Sequence, residues 1–406
     1  MAYSAGNLSK AQLRRELLGR LERSLRGSQP FLQVLVGPRQ VGKTTAVQQL
    51  LEGWKGPHHY ASADLPAAPD SSWLTAQWEI ALGRPGRGRR LLVLDEVQKI
   101  TRWSDVIKAL VDESRVRNHP NALRVIVLGS SSLLLQRGLA ESLAGRFELH
   151  HATHWTYPEA KAAFGWDLDR WLYFGGYPGA ARLIRQPARW AEYIRSSLIE
   201  SVLGRDVLQL APVTKPALLR QLFDLACAFP AQVLSFNKML GQLQDAGNTT
   251  TLAHYLELLE GAFLVGGLER FTPGKIRQRG SSPKLIAWNN ALLSARAGLT
   301  LAELKRRPDL WGRWIENAVG AHLVGHAAQL GYRVYYYRDG NDEVDFVLQH
   351  GERVVALEVK SGRPAAASGL KAFSRRFPRA KLLVVGSGGV PLLDFFEQRP
   401  DAWLKQ

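Results

Sequence analysis

The chain has 406 residues, 46% of them hydrophobic and 22% charged, a globular balance that excludes wholesale disorder and is too long for one ordinary core, so two or three domains are expected. Its 53 Lys+Arg outnumber 36 Asp+Glu for a net charge of +17, an excess that draws polyanions by releasing their condensed counterions. A single cysteine, Cys227, excludes a disulfide framework and a cysteine-based zinc site. With no signal-like start and no run of roughly 18 apolar residues, a cytoplasmic protein without membrane contact is expected.

In chain order, residues 8–27 read as an amphipathic basic helix with Leu13, Leu17, Leu18 and Leu21 on one face. The apolar run 31–36 then enters a glycine-rich loop, after which Val47, Leu50, Leu51 and Trp54 recur at helical spacing. Residues 59–64 read as a second short strand. The unbroken apolar runs 91–94 and 125–128 have the pattern of strands covered on both faces. Strands alternating with helices predict a parallel α/β sheet over residues 1–155. Helical periodicity dominates 156–272, broken near its start by Gly175-Gly176-Tyr177-Pro178-Gly179. The segment 273–406 is mixed: two strand-like runs, 343–348 and 354–359, flank the hairpin chemistry of His350-Gly351-Glu352, and an apolar run over 381–385 follows a basic helix.

The loop Gly37-Pro38-Arg39-Gln40-Val41-Gly42-Lys43-Thr44 completes the pattern GxxxxGK[ST], with Thr45 next. Glycines there let backbone N–H groups turn around phosphates at the positive end of the following helix. Lys43 would reach the β- and γ-phosphates of ATP, and the Thr44 hydroxyl would take a place on Mg²⁺. The run 91–94 ends in Asp95 and Glu96, as a Walker B segment does; Asp95 would hold the metal and Glu96 would activate the attacking water. Ser130 or Ser131, at the end of the next apolar run, would orient the lytic water or sense the γ-phosphate, cap the following helix, or do both. Arg146 reads as a lone arginine just ahead of the fourth strand, placed to act as a finger in a neighbour's site. Three basic clusters would contact nucleic acid: Arg84, Arg87, Arg89 and Arg90; Lys275, Arg277 and Arg279; and Arg375, Arg376, Arg379 and Lys381.

Taken together, Gly-Pro-Arg-Gln-Val-Gly-Lys-Thr, Leu-Asp-Glu-Val-Gln, Gly-Ser-Ser-Ser, Leu-Ala-Gly-Arg and Gly-Gly-Tyr-Pro resemble a widespread prokaryotic AAA-type ATPase family whose C-terminal half is a domain of unknown function. The resemblance spans nearly the whole chain. It implies Lys43, Thr44, Asp95 and Glu96 at the nucleotide, Arg146 as a finger, and a winged-helix module followed by a restriction-endonuclease-like fold. The expected division is an AAA+ core over 1–155, a helical lid or linker over 156–205, a winged-helix-like module over 206–272 and a nuclease-like domain over 273–406.

Residues 234–243, a turn at 245–248 and residues 251–264 give a helix–turn–helix order. The second helix carries His254, Glu257 and Glu260 and no Lys or Arg, a poor surface for phosphates, so a structural or docking role is expected. In the last domain, Asp345 and the pair Glu358 and Lys360 follow a spacing that resembles the PD-(D/E)xK nuclease signature. On a strand Glu358 and Lys360 share a face, and a hairpin brings Asp345 opposite. Glu316 falls where the first helix of that fold donates a further acid. Together with the lysine, these carboxylates would hold Mg²⁺ for phosphodiester attack. The expectation is an oligomeric ATPase, a ring with six subunits as one candidate size, acting on DNA. An ATP-gated nuclease and a nucleotide-dependent signalling or defence switch that binds protein partners are the alternatives.

Overall fold

A computed structural model describes residues 13–27, 32–116, 123–129, 142–208, 213–244, 247–272, 282–362 and 368–405. The chain opens with helix α1 (Glu16–Arg26), whose Leu17, Leu18, Leu21 and Leu25 are buried. A sheet follows, built from β1 (Leu32–Val36), β2 (His58–Ser62), β3 (Leu91–Asp95), β4 (Arg124–Gly129) and β5 (Phe147–His151). Its order is β2-β3-β4-β1-β5, and every pairing is parallel. Between the strands run α2 (Lys43–Glu52), α3 (Ser71–Gly83) and α4 (Trp103–Val116).

The apolar runs read as doubly covered strands are covered on both faces. Leu35, Leu91, Val93, Ile126 and Leu128 pack with α1 and α2 through Leu18, Leu21, Val47 and Leu50. Their sequence neighbours Val34, Leu92, Leu94, Val125 and Val127 pack the other way, onto Leu74, Trp78, Ile107 and Leu110. Each fully buried aliphatic side chain contributes roughly 1.5–3 kcal/mol, so the period-2 alternation stabilises a three-layer core from two sides.

Arg146 stands before β5, a fifth strand, and not before the fourth. The strand escaped the sequence reading because Phe147–His151 is an edge strand and half-buried over most of its length. The first basic cluster is also partly structural. Arg89 donates through Nη1 to the carbonyls of Leu25 and Arg26, the end of α1, and Arg84 Nη2 reaches His59. The second cluster, Lys275, Arg277 and Arg279, lies outside the described residues.

Beyond the sheet the described elements up to Gly261 are helices, among them two π-helical stretches, Ile194–Ile199 and Val202–Val207. Helices Pro216–Ala228, Phe236–Leu240 and Thr249–Gly261 lead into the antiparallel pair β6 (Val265–Leu268) and β7 (Lys284–Ala287), with a bridge from Val233 to Lys284. The long helix Pro308–Leu330 precedes a mixed sheet of β8 (Arg333–Asp339), β9 (Asp342–His350), β10 (Arg353–Lys360) and β11 (Lys381–Gly386). Its order is β11-β10-β9-β8; β10 and β11 are parallel, the other pairs antiparallel. One continuous core runs from Tyr157 to Leu404, joining this sheet to the helical region through Trp314, Val319, Leu323, Phe346 and Leu357. Arg399 pairs with Glu16 at 2.6 Å and Lys161 with Glu397 at 2.7 Å, so the C-terminal segment reaches back both to α1 and to the helix Tyr157–Phe164. Among the described residues no helix is long and apolar enough to cross a membrane.

Candidate active site

In a parallel sheet the loops at the C-terminal strand ends share one edge, and there β1 releases the loop 37–42 into α2. Gly37 is required by close approach: a Cβ there would lie 2.1 Å from the Ala152 carbonyl oxygen. Gly42, the residue before α2, has φ 87°, the left-handed region that favours glycine. Gln40 and Glu96 adopt φ 58° and 54° without being glycines, and such backbone strain concentrates at functional sites.

Lys43 is 9% exposed, and its ammonium donates to the carbonyls of Gly37 at 2.8 Å and Pro38 at 2.7 Å rather than to a carboxylate. Burial pulls its pKa down to about 8, against the pull of nearby Glu96 and Asp95. The loop is braced from outside as well. Arg15, buried, donates to the Val41 carbonyl at 3.1 Å and to Glu159 at 2.7 Å, and Trp155 Nε1 donates to the same Val41 carbonyl at 3.0 Å. Pro38 and Val41 are buried, while Thr45 points to solvent.

The Thr44 hydroxyl donates to Asp95 Oδ2 at 3.1 Å, so the two motifs, 51 positions apart, meet at one point. Tyr60 on β2 donates to the same oxygen at 2.7 Å, and the Glu96 backbone N–H donates to Asp95 Oδ1 at 2.9 Å. These bonds fix the carboxylate at the strand end. Glu96 in turn accepts from Gln98 Nε2. A buried ammonium facing only carbonyls fits an incoming anion, and an adjacent hydroxyl and carboxylate fit a Mg²⁺ ion carried with it.

Residues 29–160 match the AAA domain. Two further stretches match domains of unknown function, DUF8612 over residues 165–303 and DUF4143 over residues 311–392. An uncharacterised protein of Mycobacterium tuberculosis is 29% identical over 388 residues, covering 94% of this chain and 82% of that protein. An uncharacterised protein of Methanocaldococcus jannaschii is 22% identical over 353 residues, 81% of this chain and 74% of that one. Among solved structures, the Walker-type ATPase PABY2304 of Pyrococcus abyssi aligns with a TM-score of 0.49 and 16% identity, over 70% of this chain and 95% of that one.

Two further contacts tie the AAA-matching loop to the helical region. Arg39 forms a two-pronged ion pair with Asp206, which is 7% exposed, and that hydrogen bond raises the guanidinium's pKa. The Tyr193 hydroxyl donates to Gln40 Oε1 at 2.5 Å. The arginine read as a finger lies at the other edge of the sheet. It precedes the N-terminal end of β5, about 16 Å of strand away from the loop edge. There Arg146 is held by Asp112 through Nε at 2.8 Å and Nη2 at 3.0 Å. Ser130 lies outside the described residues.

In the C-terminal domain Glu316, Asp345, Glu358 and Lys360 come together, but with an unforeseen occupant. Lys284, fully buried on β7, donates to Glu316 Oε1 at 2.6 Å, to the Asp345 carbonyl at 3.1 Å and to Asp345 Oδ1 at 3.4 Å. A lysine ammonium thus lies among the acids that the sequence placed around Mg²⁺. Among the described residues no group of three or more His, Cys, Asp or Glu is arranged to hold a metal ion. Burial opposes the Lys284 charge, but Asp345 and Glu316 outweigh it and its pKa rises above the ordinary lysine value.

Tyr60, Gln98, Asp206, Tyr193 and Lys284 escaped the sequence reading. Gln98 stood in the quoted Leu-Asp-Glu-Val-Gln run and was the one with a local signal. The others lie on distant elements and are recruited only by folding.

Proposed function

We propose that this protein is an ATP-hydrolysing AAA-type machine that assembles into a homo-oligomeric ring and works on duplex or branched DNA. The observation that carries the reading is the meeting of Thr44 with Asp95 at 3.1 Å beside the buried Lys43, since ATP hydrolysis needs a phosphate-binding cation and a metal-binding pair in one place. Mg²⁺ carried with the nucleotide supplies charge neutralisation on the phosphates. The chain's own residues do the rest. Lys43 exchanges its two carbonyls for phosphate oxygens, and the N–H groups of residues 39–44 cradle them. Glu96, held by Gln98, accepts a proton from the attacking water. Arg146, too far from its own loop, serves a neighbouring subunit once freed from Asp112, which is why a ring is part of the reading. Arg39 and Gln40 transmit the state of the loop to the helical region through Asp206 and Tyr193.

DNA is favoured by the third basic cluster. The helix Ser368–Arg376 buries Leu370 and Phe373 and exposes Lys371, Arg375 and Arg376, with Arg379 exposed just beyond. We read the C-terminal sheet as a nuclease-like fold that holds nucleic acid, and the helices and β6–β7 pair before it as a winged-helix-like module with a structural role. The test is ATP turnover with duplex, branched and single-stranded DNA, alongside Lys43→Ala and Glu96→Gln. Turnover raised by one DNA form and abolished in both variants supports the reading. Turnover indifferent to all three forms, with nucleotide-dependent self-association, would replace DNA by a protein partner.

A further inference from the structure

Three carboxylates gather at the C-terminal cluster, and the chain supplies three cations to them. Glu316 accepts from Lys284 through Oε1 at 2.6 Å and from Arg313 through Oε2 at 3.2 Å. Asp345 accepts from Lys284 through Oδ1 at 3.4 Å and from the Val359 N–H through Oδ2 at 2.8 Å. Glu358 accepts from Lys360 through Oε1 at 2.7 Å, and its Oε2 alone is buried without a partner. Five of the six carboxylate oxygens are thus committed to donors of this chain.

Lys284 is the unusual member. It is 0% exposed, its ammonium lies 4.8 Å from the centre of the Phe346 ring, and its backbone is pinned on β7 by pairing with Leu268. A buried ammonium without carboxylates would cost several kcal/mol, and the acids without it would cost as much. Mg²⁺ requires six oxygen ligands near octahedral geometry. A divalent ion here would bring two positive charges into a cluster already neutral and would find one free carboxylate oxygen.

We propose that Lys284 is the resident cation of this cluster, standing where a divalent metal would sit, so that the cluster takes up no metal ion. Lys284 comes from the region matching one domain of unknown function and Asp345 from the region matching the next. The same ammonium therefore pins the helical region to the C-terminal sheet. This inference does not depend on what ATP hydrolysis drives, and it stands or falls apart from any effect of DNA on turnover.

The test uses the full chain without nucleotide, titrated with Mn²⁺ and followed by the electron paramagnetic resonance signal of the free ion. Wild type and Glu358→Gln should bind the same number of ions, because the cluster takes none. Lys284→Met keeps the side-chain bulk and removes the charge; it should bind one Mn²⁺ more than the wild type, and adding Glu358→Gln should abolish that gain. An ion bound by the wild type and lost in Glu358→Gln would overturn the proposal, as would a folded Lys284→Met with no extra ion. If Lys284→Met fails to fold, the comparison of wild type with Glu358→Gln decides alone: equal binding upholds the proposal, and a lost ion overturns it.

Discussion

Two buried lysines stand beside carboxylates in this molecule, and their surroundings differ. Lys43 faces the backbone carbonyls of Gly37 and Pro38, and burial lowers its pKa to about 8. Lys284 faces Glu316 and Asp345, and its pKa rises. The first ammonium is short of negative charge and is improved by an arriving phosphate; the second has its counter-charge built in. A P-loop and an acid-rich strand pair look equally chemical in sequence, yet on the proposed reading one is open to a ligand and the other is filled by the chain.

The largest effects should appear at the open site. Glu96→Gln removes the proposed proton acceptor and should lower turnover on the order of 10²–10⁴-fold. Lys43→Ala removes the cation proposed to face the developing charge and should cost on the order of 10²–10³-fold. Phosphate-release kinetics measures both, and a variant within threefold of wild type would break the contrast from that side.

At the filled site the effect should be on stability. Removing Lys284, 0% exposed, takes from Glu316 and Asp345 the ammonium they share and should cost roughly 3–5 kcal/mol by chemical denaturation. Lys284→Arg, which keeps the charge, should lose less than Lys284→Met. Equal losses would show that the charge is not what matters.

A smaller effect tests how the open site is connected. Asp206→Ala removes both acceptors of Arg39 and should destabilise the chain by about 1–3 kcal/mol. It should also change the KM for ATP, because the loop loses its tie to the helical region. An unchanged KM would separate the loop from that region.

The smallest lies outside both sites. His150 on β5 is hydrogen-bonded to Gln33 at 2.6 Å, and burial pulls its pKa down to about 4 from an ordinary 6.5. Because the folded value is the lower one, the unfolded chain takes up the proton first. Its contribution to stability is therefore complete above pH 6.5 and is lost as the pH falls toward 4. Thermal melts over that range should show a shallower decline for His150→Gln than for the wild type.

How much of this was legible in the sequence follows from whether a signal is local. The P-loop and the Asp95-Glu96 pair are each contiguous, so spacing alone singled out Lys43, Thr44, Asp95 and Glu96, and the fold brings Thr44 to Asp95. The doubly covered strands were legible because burial on both faces leaves an unbroken apolar run. β5 carries Glu148, His150 and His151, and β6 contains Gly266 and Gly267; neither shows strand periodicity, and each is held by its partner strand. β8, with three consecutive tyrosines interrupted by a register shift, likewise has no clean alternation. The acids of the C-terminal cluster were found from the signature, but Lys284 was not. It is one lysine in an apolar stretch, 61 positions from Asp345, and nothing in its neighbours declares where its ammonium ends.

The contrast between the two sites can be read in a single reaction containing the protein, ATP, Mg²⁺ and end-labelled branched DNA, with phosphate release and strand length followed together. The account predicts phosphate accumulation that Lys43→Ala abolishes, while every DNA strand keeps its full length. Shortened strands that disappear in Asp345→Asn, or phosphate release that persists in Lys43→Ala, would contradict it.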